Sequence, residues 1–211
     1  NKDLLRSTGQ QATLPGKDRV DQEEILNLRV IGGKLRGRKL SHLPGNSIRP
    51  TADRIRESIF NILSDRLRDA RVLDLFAGSG SLGIEALSRG AASAVFIDST
   101  PLALSIIERN LEICRLGDRA RVIRWDIVRN LNCLGQSDAP FELIFLDPPY
   151  GKDFVQRALS HVQCRHLCSP TTRVVIEHAA TEPIPTGMSA YKIEDQRKYG
   201  KTLVSILSSM L

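Results

Sequence analysis

The apolar pattern changes character twice along the chain. Residues 1–24 are polar, carry both signs of charge and have no apolar period, which predicts a mobile tail. Leu28-Arg-Val-Ile-Gly-Gly-Lys-Leu-Arg-Gly-Arg-Lys-Leu40 predicts a short hairpin turned on its glycines. A linker with Pro44, Gly45, Asn46 and Pro50 follows. Ile55, Ile59, Ile62, Leu63 and Leu67 then recur at helical spacing, predicting a bridging helix over 52–67. From Ala70 onward strand and helix patterns alternate. Strands are expected at Arg71–Phe76, Ala94–Asp98, Arg121–Trp125, Glu142–Asp147, Arg173–Glu177, Tyr191–Glu194 and Leu203–Leu207. Helices are expected from Ser81 to Gly90, from a Thr100 cap with Pro101 in its first turn to a stop before Gly117, and over Phe154–Leu167. Such alternation specifies an α/β fold, a parallel sheet with helices on both faces.

Composition narrows the class. Apolar residues make up 41% and charged residues 26%, enough to bury a core. No apolar run approaches the roughly 18 residues of a membrane span. Four scattered cysteines make no disulfide framework, and no secretory signal is visible, so a cytoplasmic protein is expected. The net charge of +6 is unevenly spread: between Arg29 and Arg56 eight basic residues face one acid, Asp53. That segment exceeds the surplus of the whole chain and suits a polyanion such as nucleic acid, although a solvated face would read the same.

Asp74-Leu-Phe-Ala-Gly78-Ser-Gly80-Ser-Leu-Gly83 places a G-x-G-x-x-G between a strand and a helix, where backbone can approach a ligand closely. Asp98 ends the next strand, where a carboxylate can accept from ribose hydroxyls. To this point a dinucleotide site fits equally well. Asp74 alters the balance, because an anion inside the first strand suits an amino group and a sulfonium rather than a pyrophosphate. Asp147-Pro148-Pro149-Tyr150 ends the fourth strand. Alone it is as much a strand-terminating turn as a site, but joined to the glycine loop it points to chemistry.

Taken together, these residues resemble an S-adenosylmethionine-dependent methyltransferase with an Asp-Pro-Pro-Tyr amino-methylating motif. The narrower resemblance is to bacterial 16S ribosomal RNA (guanine-N2)-methyltransferases. It rests on the blocks Arg29–Leu40, Arg49–Glu57 with Phe60, Asp74–Ala91, Asp147–Tyr150 and Tyr199–Thr202, and runs from about residue 28 to the end. The resemblance implies a Rossmann-like class I methyltransferase fold with a seven-stranded, mostly parallel sheet and a small N-terminal basic hairpin and helix. The implied division is a tail over 1–24, an RNA-binding hairpin and helix over 25–69, and a methyltransferase domain over 70–211. S-adenosylmethionine would lie against Asp74, Phe76, Ala77, Gly78, Ser79 and Gly80, with Asp98 at the ribose and Asp126 and Ile127 at the adenine, leaving S-adenosylhomocysteine as product. The family more often has Glu where Asp98 stands, which shortens the reach to the ribose. Asp147, Pro148, Pro149 and Tyr150 would handle the base. Lys34, Arg36, Arg38, Arg49, Arg54, Arg197 and Lys201 would contact RNA, either free or within the small subunit or an assembly intermediate. A monomer without membrane contact is expected.

Other readings are a DNA adenine-N6 or cytosine-N4 methyltransferase, for which no target-recognition domain is visible, a nicotinamide-linked oxidoreductase, and a non-catalytic RNA-binding assembly module. His161, Cys164 and Cys168 share a helical face but lack a second pair of ligands, so no metal is expected. Trp125 and His178 read as packing residues, and Glu85 with Arg89 as a helical i, i+4 pair of modest value.

Overall fold

A computed structural model of the chain describes residues 28–43, 50–138, 140–184 and 189–210. The expected tail over 1–24, most of the proline-glycine linker, and Arg49 lie outside the described residues. The strands are β1 (Arg71–Leu75), β2 (Ser93–Asp98), β3 (Ala120–Arg124), β4 (Leu143–Leu146), β5 (Arg173–Ala179), β6 (Tyr191–Tyr199) and β7 (Thr202–Ser209). They form one sheet in the order β3-β2-β1-β4-β5-β7-β6, with β1 to β5 parallel and β7 antiparallel to both neighbours. The apolar runs of β1 and β4 occupy the centre and are buried on both faces, as central parallel strands require. The sheet is the seven-stranded, mostly parallel one expected, and the fold is Rossmann-like.

Among the described residues four α-helices cover the sheet: α1 (Pro50–Ile62), α2 (Ser81–Ser88), α3 (Pro101–Cys114) and α4 (Phe154–Cys164). On one face Ile55, Ile59 and Phe60 of α1, Ile84 of α2 and Ile107 of α3 pack with Val72, Phe96 and Phe145. On the other, Val155, Leu159 and Val162 of α4 pack with Leu73, Leu75, Ile144 and Ile176. Each large apolar side chain so buried contributes about 1.5–3 kcal/mol relative to exposure. Leu28, Val30 and Leu40 belong to the first cluster, so the N-terminal segment shares its core with the sheet.

Several boundaries differ from expectation. The bridging helix stops at Ile62, and a 3-10 turn over Ser64–Arg66 completes the connection. The helix capped by Thr100, whose Oγ1 accepts from the Ala103 N–H, does stop before Gly117 as expected, with Arg115 closing it in a left-handed conformation. The last hairpin strands are longer than expected. β6 continues from Glu194 to Tyr199 because it is a charged edge strand, exposed on both sides and therefore without apolar alternation. The basic hairpin forms a single bridge, Arg29 with Lys39, around a 3-10 turn at Gly33–Leu35.

Candidate active site

Parallel strands end at a common edge, and here each of the first five carries an acid within two residues of its end: Asp74, Asp98, Asp126, Asp147 and Glu177. β1 and β4 are adjacent, and from them the chain crosses over in opposite directions. The crevice between their end loops is where open α/β sheets bind ligands. Leu75 pairs with Leu146, so Phe76 and Asp147 leave neighbouring strands about 4.8 Å apart. The glycine turn and the double-proline turn therefore open into one crevice.

The glycine turn is tightly held. Ala77 N–H donates to the Ile97 carbonyl, Gly80 N–H to the Ala77 carbonyl, and the Asn110 side-chain amide to the Ser79 carbonyl. Gly80 introduces α2 in a left-handed conformation, φ 74°, which glycine adopts without cost. Phe76, also at positive φ, stacks its ring on Phe154 with centroids 6.1 Å apart, joining this turn to the start of α4. Asp74 is 1% exposed and accepts from the Gly83 N–H at 2.9 Å. Burial, aided by the Asp98 charge and opposed by the Gly83 hydrogen bond, pushes its carboxyl up to about 7. Among the described residues no basic side chain pairs with it. A buried carboxylate without a cation fits a positively charged ligand and would repel a pyrophosphate.

Asp98 is already engaged: Oδ2 accepts from Gly78 N–H at 3.0 Å, and Oδ1 from the Thr100 N–H and hydroxyl. The shorter side chain thus braces its own loop, and any ribose must share these oxygens. Asp126 Oδ1 accepts from the Val128 N–H, forming a turn beyond β3. Ile127 buries its side chain there, and its N–H has no partner among the described residues.

In the double-proline turn Pro148 is buried and Asp147, Pro149 and Tyr150 are exposed. The Asp147 carboxyl is pushed well above the usual range by surrounding protein atoms, then by the charges of Glu177 and Asp74. Water reaches the open flank of the residue and tempers the burial effect. Tyr150 is 45% exposed, and its hydroxyl donates to Glu177 Oε1 and lies 3.2 Å from Thr202 Oγ1. The side chain is thereby tethered at its hydroxyl while much of the residue stays open to solvent. Glu182 clamps the next residues, accepting from the N–H groups of Gly151 at 2.8 Å and Asp153 at 3.0 Å, which lowers its own pKa.

The basic residues fall into two groups. Lys34, Arg36, Arg38 and Lys39 line an open groove of about 540 Å³ with Ile113. The groove lies by the C-terminal ends of α2 and α3, at the sheet edge opposite the crevice, about 12–20 Å away by the lengths of those helices. Nearer the crevice are Arg54, Arg197 and Lys201, all exposed. Arg197 Nη1 contacts Ser58 Oγ at 3.5 Å, and Arg54 lies one turn before Ser58 on the same face of α1. Lys201 sits in the β6–β7 turn, where its carbonyl accepts from Ala180.

Over residues 28–208 the chain matches the model of a protein family described as Conserved hypothetical protein 95. The ribosomal RNA small subunit methyltransferase D of Escherichia coli (strain K12) is 32% identical, covering 82% of this chain and 86% of that one. This chain belongs to that methyltransferase family. Another similar protein is YlbH of Bacillus subtilis, named as a candidate rRNA methyltransferase and 37% identical over 85% of this chain and 97% of its own. Among solved structures, the candidate methyltransferase yhhF of Escherichia coli superposes with a TM-score of 0.77 at 31% identity, over 87% of this chain and 98% of that one.

In this member of the D-type methyltransferases, sequence reasoning missed several structural residues. Glu85 is 1% exposed and accepts from the N–H groups of Ile31 and Gly32 and from Arg89 Nε, each at 2.7 Å. The pair is a buried clasp for the hairpin rather than a minor surface contact. Asn110 similarly joins Ser41 to the glycine turn. No local pattern announces the hairpin and turn contacts, since each backbone partner lies more than thirty residues away. His178 is buried against Ser205 and the Glu182 carbonyl, in line with a packing role. Trp125 donates to the Asn130 carbonyl and packs on the second cluster. Among the described residues no cluster of His, Cys, Asp and Glu could hold a metal, and no helix is long and apolar enough to cross a membrane.

Proposed function

We propose that this protein methylates the exocyclic N2 amine of a guanine in 16S ribosomal RNA, using S-adenosylmethionine and releasing S-adenosylhomocysteine. One observation carries the reading: a buried, uncompensated carboxylate at the glycine turn shares a crevice with the Asp-Pro-Pro-Tyr turn. Family relatives named as small-subunit rRNA methyltransferases support the RNA target.

The residues that would hold the cofactor fit its charge. Asp74 would take the methionine amino group, with Phe76, Ala77, Gly78, Ser79 and Gly80 supplying the enclosing backbone. Asp98 would share its oxygens with the ribose hydroxyls, and Asp126 with the Ile127 N–H would meet the adenine. When bound, the cofactor supplies a methyl carbon activated by its sulfonium.

The remaining task is to present a weak nucleophile. The guanine N2 lone pair is delocalised into the ring, so the amine must be turned and pyramidalised. The Asp147 carboxylate and the Pro148 carbonyl can each accept one N–H. No residue among those described uses that carbonyl in a hydrogen bond. Tyr150, held by Glu177 and Thr202, offers its exposed ring to the base. Positioning then contributes much of the acceleration. The methylated nitrogen must lose one proton, and Asp147, with its raised affinity for protons, is suited to accept it and pass it to water.

Bringing a structured base into the crevice costs a few kcal/mol and needs a grip on the flanking phosphates. Arg54, Arg197 and Lys201 would hold the strand near the base, and the remote groove a second segment. Arg49 would be a further phosphate contact. Simultaneous replacement of Lys34, Arg36 and Arg38 by Ala is expected to flatten the salt dependence of RNA binding, by about 0.7–0.9 in log–log slope per lost contact. Fluorescence titrations of 16S rRNA at several salt concentrations measure this, and an unchanged slope removes the groove from the interface.

We further infer a monomer acting in the cytoplasm. The test of function offers tritiated S-adenosylmethionine with naked 16S rRNA, with small subunits or assembly intermediates, and with duplex DNA. Label on N2 of one guanine in rRNA is expected. Label on DNA, on another base, or on no nucleic acid overturns the reading.

A further inference from the structure

We propose that Glu177 reads the base, accepting the guanine N1–H beside the amine held by Asp147, and thereby excludes adenine and cytosine. This rests on the reading of the crevice as an amine-methylation site and goes beyond it by assigning the choice of base to one side chain.

The register puts the two acids side by side. β4 and β5 are parallel, with Phe145 opposite Val175 and Leu146 opposite Ile176. One residue further on, Asp147 leaves β4, and beside it Glu177 stands at the same level within β5, where it still pairs with Val204. Side chains alternate with a period of two, so both point to the face on which Phe145 and Val175 are buried. Tyr150 bonds Glu177 Oε1, whereas Oε2 has no hydrogen-bond partner among the described residues. No basic side chain forms an ion pair with either acid among those residues. The crevice therefore presents a row of acceptors: the Pro148 carbonyl, Asp147 and Glu177.

The chemistry of the bases makes that row selective. Adenine, cytosine and guanine all carry an exocyclic amine. In adenine and cytosine the ring nitrogen next to it, on the Watson–Crick edge, is an acceptor. In guanine it is a donor, N1–H. A carboxylate is acceptor-only when ionised, and although burial raises the Glu177 pKa, an N1–H donated to it favours that ionised form. Beside Asp147 it completes two hydrogen bonds to guanine and meets a lone pair on either other base. An acceptor covered by the bound base and left unpaired gives strong rejection, stronger than shape alone provides.

The test keeps the reacting amine and inverts its neighbour. 2-Aminopurine retains the N2 amine but has an acceptor at N1. Once the methylated position is mapped, 16S rRNA is assembled by ligation with guanine, 2-aminopurine or inosine there, inosine lacking the amine and serving as the blank. The RNAs are offered bare and in reconstituted small subunits. Wild-type kcat/KM should favour guanine over 2-aminopurine by about 10- to 100-fold, the range for a hydrogen bond to a charged group. In Glu177→Gln the amide can accept from N1–H or donate to an N1 lone pair, so the ratio should fall to within about threefold. Glu177→Ala should narrow it too and serves if the glutamine variant does not fold. Thr202→Val loosens the Tyr150 tether alone and should slow both bases equally. Equal use of both bases by wild type, or an unchanged ratio in both Glu177 variants, overturns the proposal. Failure of wild type on guanine itself would instead reject the amine-methylation reading.

Discussion

Asp147→Ala is expected to bind S-adenosylmethionine with near wild-type affinity while methyl transfer falls by about 10²- to 10⁴-fold, the usual range for loss of a positioned proton acceptor. The carboxylate stands at the end of β4, across the crevice from the glycine turn and Asp74. It meets the amine rather than the cofactor in the proposed arrangement. Removing it leaves the Pro148 carbonyl as the remaining amine acceptor in the turn. The amine can then rotate, and its lone pair is no longer aimed at the methyl carbon. Calorimetry with S-adenosylmethionine and single-turnover transfer to rRNA separate the two quantities. Parallel loss of both would mean that Asp147 belongs to the cofactor site.

Asp74→Asn should do the reverse and also stabilise the free protein. In the folded state the Asp74 carboxyl keeps its proton to about 7, against 3.8 for an exposed aspartate. The folded chain therefore holds more protons than the unfolded chain between those values, and stability falls as pH rises through that window. At about 1.4 kcal/mol per pH unit, the loss is on the order of 4 kcal/mol by neutral pH. Asparagine is nearly isosteric, can still accept from the Gly83 N–H and has no charge to bury. Urea unfolding at pH 5 and pH 8 should show a smaller pH difference in the variant, and greater stability than wild type at pH 8. Cofactor binding should be lost from the variant. In wild type it should weaken below neutral pH and release a proton, since an ammonium or sulfonium favours the ionised carboxylate. Undiminished cofactor binding by Asp74→Asn would remove Asp74 from the cofactor site.

Asp147 is legible in the chain because proline pairs are rare inside elements and an acid beside them stands out. Its partner Glu177 is not, since an acid ending a strand is common, and only the β4–β5 register brings the pair together. Of the five acids along the sheet edge, the strand pattern already puts Asp74, Asp98 and Asp147 in or at the ends of strands, but which of them are neighbours follows only from the strand order. The basic segment was legible as a charge surplus, but its division was not. Lys34, Arg36 and Arg38 stand at the far edge because Glu85 and Ser88 of α2 hold the hairpin there through its own N–H groups.

Local chemistry thus determined what needs only neighbours: the approximate places of the strand segments, the Thr100 cap, the glycine turn and the double-proline turn. Those features arise from backbone sterics and side-chain period within a few residues. The order of the strands, the reversal of β7, the companionship of Asp74, Asp147 and Glu177, and the separation of the two basic groups came only from the assembled sheet. Each depends on which distant segments share a buried face. That choice is made by burying the two apolar clusters at once, a property that no short window of sequence contains.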